Sequence, residues 1–135
     1  MIEAKNPIRI LIVEDDESIR SVLNDLLTTD KTELFLAPDG ESAVPYLEAG
    51  QIDLLITDLG LPGMSGWEVA ITAKRYLSDL RIVAITSWRG PEVEQRLAES
   101  DLDAVIWKPF KLKHVCETLD HIIPGFIKNC QITVS

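Results

Sequence analysis

Four short apolar runs, rich in β-branched residues, recur along this chain, and each ends on a polar or charged group. Ile8–Val13 is broken only by Arg9 and runs into Glu14-Asp15-Asp16. The run 52–57 stops at Asp58. Arg81–Thr86 ends on Thr86-Ser87, and Ala104–Trp107 ends on Lys108-Pro109. Runs of this length without polar alternation predict strands covered on both faces, the mark of a parallel sheet. A weaker fifth strand is expected at Thr32–Ala37.

Helical patterns lie between the runs. Ile19, Val22, Leu23, Leu26 and Leu27 share one helical face, with a start near Glu17-Ser18. Ser65-Gly66-Trp67-Glu68 has the form of a capping box ahead of Val69, Ala70 and Ala73. Pro91 after Gly90 suits a first helical turn, and Leu112, Val115, Leu119, Ile122 and Ile123 make a last stripe before Pro124-Gly125. Gly40–Ala49 fits least well, because Pro45 removes a helical hydrogen bond. Strand–helix alternation repeated about five times predicts an α/β domain with right-handed crossovers. With 135 residues, one domain is expected, spanning 1–125, with 126–135 as a C-terminal tail.

Charge narrows the function. Thirteen basic against 22 acidic residues leave a formal net charge of -9, which argues against direct nucleic-acid binding. The N-terminal residues lack a signal-peptide pattern and no apolar run is long enough for a membrane span, so a cytoplasmic, membrane-free protein is expected. Cys116 and Cys130 form no CxxC pair and are expected as reduced thiols. His114 and His121, seven apart on one helix, are expected at the surface rather than on a shared metal.

In open parallel sheets, ligands bind outside the carboxyl ends of the strands. That rule brings Asp15, Asp58, Thr86 and Lys108 to one crevice, with Glu14 and Asp16 flanking Asp15 and Asp16 equally suited to capping a helix. Carboxylates within ~4 Å repel by about 4 kcal/mol per pair at an effective dielectric of 20. Such a site raises a pKa or takes up a cation, and oxygen-only donors select a hard ion such as Mg2+. Acids, a hard cation, a lysine and a hydroxyl are what a moving phosphoryl group needs, with Asp58 as the candidate nucleophile.

Ile10-Leu11-Ile12-Val13-Glu14-Asp15-Asp16, Thr57-Asp58-Leu59-Gly60-Leu61-Pro62-Gly63-Met64-Ser65-Gly66, Thr86-Ser87 and Lys108-Pro109-Phe110 together resemble the receiver domain of two-component response regulators. The resemblance implies a single doubly wound, flavodoxin-like domain: a five-stranded parallel sheet in order 2-1-3-4-5 flanked by five helices. It implies phosphorylation of Asp58, with Thr86 and Lys108 meeting the phosphoryl group. Mg2+ would be held by Glu14, Asp15, Asp58 and the Gly60 carbonyl, and the Lys108-Pro109 bond would be cis. The implied donor is a histidine kinase or a histidine phosphotransfer protein, with a protein effector downstream; the domain would drive its own phosphorylation and dephosphorylation without being an enzyme in the usual sense.

Three positions depart from the family pattern. Val105 stands where an aromatic is usual three residues before the lysine, with Trp107 on the same strand face. Ser65 replaces a common Asp, and Asp101-Leu102 replaces a small Gly-Ala pair. Two alternatives use the same residues. One is an Mg2+-dependent phosphatase with an aspartate nucleophile, which would want a second Asp where Gly60 stands; the other is an interaction module that is never phosphorylated. A nucleotide-binding module lacks its glycine-rich loop here.

Overall fold

The computed structural model describes residues 7–126 and 130. The expectations for the N-terminal residues 1–6 and for most of the tail therefore lie outside the described residues. In chain order the elements are β1 (Ile8–Val13), α1 (Glu17–Leu27), β2 (Thr32–Ala37), α2 (Gly40–Ala49), β3 (Leu54–Asp58), α3 (Gly66–Tyr76), β4 (Arg81–Thr86), α4 (Pro91–Ala98), β5 (Ala104–Trp107) and α5 (Leu112–Ile122). All strand pairings are parallel, in order β2-β1-β3-β4-β5.

Strand periodicity builds the two cores. Ile10 and Ile12 face one side of the sheet, where they meet Leu23, Leu26 and Leu27 of α1 and Val115, Cys116 and Leu119 of α5. Leu11 and Val13 face the other, against Ala43 and Leu47 of α2 and Val69, Ala70 and Ala73 of α3. Each large side chain so buried contributes roughly 1.5–3 kcal/mol. A smaller cluster joins Leu59, Trp67 and Ala84 beneath α4, a helix that has no fully buried residue of its own.

Helix starts follow local chemistry. Asp16 caps α1 by accepting from the Ile19 N–H, and Asp39 caps α2 through the Ser42 N–H. Ser65 and Glu68 form the expected reciprocal capping box on α3. Pro45 sits inside α2 without ending it; the helix is held at its start by Asp39 and packed through Ala43 and Leu47. The third strand begins two residues later than the run predicts and includes Asp58 as its last residue.

The cysteines require a correction. Expected as separate reduced thiols, Cys116 and Cys130 are joined in a disulfide, with Cα atoms 6.2 Å apart. Their sequence separation of 14 gives no motif to read. The chain instead turns back after α5, through Gly125 at φ 90°, and seats Phe126 fully buried in the α1–α5 core. Phe126 is the first residue of the expected tail.

Candidate functional site: an acidic crevice at the strand ends

The sheet delivers the predicted residues to one end. In register, Val13 lies beside Thr57, Asp58 beside Ile85, and Thr86 beside Trp107. The loops after β1, β3, β4 and β5 therefore open at the same edge. Glu14, Asp58 and Thr86 are buried there at 1%, 8% and 0% exposure, while Asp15 is exposed. Carboxylate oxygens of Glu14, Asp15 and Asp58 come within 4.8 Å of one another.

Lys108 bridges the two buried acids. Its Nζ donates to Asp58 Oδ2 at 2.7 Å and lies 2.9 Å from Glu14 Oε1. The Lys108-Pro109 bond is cis, as the resemblance implies. Asp58 Oδ1 accepts the Gly60 N–H at 2.9 Å, and Glu14 Oε2 accepts the Asp16 N–H at 3.1 Å. Thr86 Oγ1 accepts the Trp88 N–H at 3.0 Å, so its hydroxyl is held by the following loop.

Burial pushes the Glu14 carboxyl up to about 7, with the Asp58 charge adding to the rise while Lys108 and the Asp16 N–H oppose it. Burial alone would lower Lys108, but its bonds to Asp58 and Glu14 prevail and raise it above the usual lysine value. The lysine is therefore a fixed cation, and Glu14 is the acid whose charge is costly.

That pattern matches the response regulator receiver domain, whose family model covers residues 10–120. The chain belongs to this family. It is 30% identical over 117 residues to the chemotaxis protein CheY of Pseudomonas aeruginosa, spanning 84% of this chain and 94% of CheY. It is 28% identical over 108 residues to the heme response regulator HssR of Staphylococcus aureus, where the match covers 80% of this chain but only 48% of the longer relative. Among solved structures, the non-phosphorylated HemR receiver domain of Leptospira biflexa superposes with a TM-score of 0.79 at 29% identity, covering 95% of this chain and 98% of that one. The chain is thus a receiver domain, the signalling switch of response regulators, and the doubly wound 2-1-3-4-5 sheet agrees with that fold.

A receiver domain's crevice should accept a cation, and these residues can. Glu14 Oε1 is buried and meets the Lys108 ammonium as an ion pair at 2.9 Å rather than in a well-formed hydrogen bond. Three carboxylates supply oxygen donors only, the set a hard divalent ion prefers. Asp16 stands apart from this set as the α1 cap.

Several further residues support the site. Arg20 donates to the Glu14 carbonyl at 2.8 Å, fixing the backbone that aims Glu14. Gly66 lies so close to the β3 terminus that an added Cβ would fall 2.0 Å from the Asp58 carbonyl oxygen. The Trp88 indole, 43% exposed, lies over Gly60, where an added Cβ would sit 3.2 Å from the ring. Arg89 stacks on Trp107 at 4.4 Å and donates to the Lys108 carbonyl at 3.2 Å, tying the loop after β4 to the end of β5. Both histidines are exposed, as expected, and among the described residues no helix is long and apolar enough to cross a membrane.

Proposed function

We propose that Asp58 is the phosphoacceptor of this receiver domain. The observation that carries the reading is a carboxylate at a strand end, paired at 2.7 Å with Lys108 inside a three-acid cluster. An oxygen of Asp58 attacks the phosphorus of a phosphohistidine on a histidine kinase or histidine phosphotransfer protein. The P–N bond breaks, the imidazole leaves with its electron pair, and an aspartyl phosphate remains. Mg2+, held by Glu14, Asp15, Asp58 and the Gly60 carbonyl, would supply positive charge to the phosphoryl oxygens and relieve the cost of the Glu14 charge.

The chain's own residues do the positioning. Lys108 holds Asp58 in line and is drawn to the new dianion. Thr86 exchanges its bond from the Trp88 N–H for donation to a phosphoryl oxygen, which displaces the loop after β4. Arg89 carries that displacement to Trp107 and Lys108, a route that does not need an aromatic at Val105. The surface around β4, α4 and β5 then differs between the two states and selects a protein effector, in the cytoplasm where such kinases deliver phosphate. Gly60, two residues after the nucleophile, offers no acid or base side chain, which disfavours the phosphatase alternative.

The test is incubation with Mg2+ and acetyl phosphate, followed by intact-mass measurement. One added phosphoryl group is expected on the wild-type chain and none on Asp58→Ala. A chain that gains no phosphoryl group, or that gains one equally without Asp58, refutes the assignment.

A further inference from the structure

On the core-facing side of α5, a disulfide joins Cys116 and Cys130. Cys116 is fully buried in the core shared by α1, α5 and the sheet. Cys130 is half-buried and packs against that core from outside. Between them α5 ends at Ile122, the chain turns at Gly125 and Phe126 is buried, and the sulfur–sulfur bond joins residue 130 to α5. Residue 116 is therefore fully shielded while residue 130 keeps part of its surface exposed, an asymmetry that suits a resolving thiol and an attacking thiol.

We propose that Cys130 is a modification site for low-molecular-weight disulfides, with Cys116 as its resolving thiol. The inference is independent of phosphorylation at Asp58. In the reduced chain, the Cys130 thiolate attacks one sulfur of a disulfide RSSR. The RS–SR bond breaks, and RS⁻ leaves. Cys116 attacks the Cys130 sulfur, the second RS–S bond breaks, and the departing RS⁻ takes up the Cys116 proton as RSH. Two protein thiols are oxidised and one small disulfide is reduced to two thiols. In reverse, a small thiol enters at Cys130 and frees Cys116. Where thiols are kept reduced, protein disulfides are mostly transient and redox-sensing rather than structural, and the partly exposed Cys130 fits that class.

The test is equilibration of the full chain in native buffers of defined glutathione to glutathione-disulfide ratio, quenched with iodoacetamide under denaturing conditions and weighed intact. The expected result is a reversible transition between species carrying zero and two alkyl groups. Cys116→Ser should retain one glutathione, on Cys130, and Cys130→Ser should take none under native conditions. Amide exchange in 116–126 should speed up by about tenfold or more on reduction, because the cross-link no longer restrains the opened segment. A disulfide that resists millimolar glutathione until the chain is unfolded, thiols that never pair, or exchange unaltered by reduction would each overturn the proposal.

Discussion

Replacing Lys108 by alanine removes the cation seated between Glu14 and Asp58. Its Nζ lies 2.7 Å from Asp58 and 2.9 Å from Glu14. At an effective dielectric of 20, each contact carries about 6 kcal/mol of Coulomb attraction. Most of that offsets the dehydration of three charges, and breaking a buried pair costs about 3–5 kcal/mol in practice. Lys108 keeps some contact with water, its side chain being 16% exposed, so a net loss of about 2–4 kcal/mol is expected without divalent ions.

The pH dependence has a definite sign. Glu14 titrates at about 7 in the folded chain against 4.5 when unperturbed. Between those values the folded state holds the extra proton, so its stability falls as pH rises through this window. Lys108 lowers the Glu14 pKa, so its removal raises it further and widens the window upward. The deficit of Lys108→Ala should therefore be smaller at about pH 5, where Glu14 is neutral, than at about pH 8, where two carboxylates face each other. Mg2+ should restore part of the loss by binding the folded state alone. Urea denaturation with a chelator, the disulfide kept intact and tryptophan emission as signal, measures all of this. A deficit within about 0.5 kcal/mol at both pH values, or one larger in acid, would refute the electrostatic account.

Two further substitutions probe the scaffold. Gly66→Ala would drive a Cβ to 2.0 Å from the Asp58 carbonyl oxygen and 2.6 Å from the Leu59 Cα, both backbone atoms with little room to move; a loss of about 3 kcal/mol or more is expected, together with slowed phosphorylation, and a variant with unchanged stability and uptake rate would show that the contact is relieved elsewhere. Phe126→Ala should cost about 3–5 kcal/mol in the same urea assay, as for other fully buried aromatics; a loss under about 1 kcal/mol would mean that 126 belongs with a tail rather than with the core.

Much of this receiver domain is legible in its sequence, because strands and helices announce themselves over a few residues. The alternation of Ile10, Leu11, Ile12 and Val13 between two faces, the Ser65 cap and the acids at strand ends are local patterns, and the rule that ligands gather at strand ends joined Asp15, Asp58, Thr86 and Lys108 across the chain. The resemblance supplied strand order. Where local reading stopped, it stopped for want of distance information. Nothing near Cys116 points to Cys130, since the pair joins positions 14 residues apart with no motif between them. Gly66 reads only as part of a capping box and a family motif until the Asp58 backbone is placed against it. The lysine's division between two acids, the Arg20 bond to the Glu14 carbonyl and the Arg89–Trp107 stack join segments that only packing brings together. Chemistry was thus written in residue type and strand-end position, while the charge state of Glu14 was decided by tertiary burial, because dehydration of a carboxylate depends on everything packed around it.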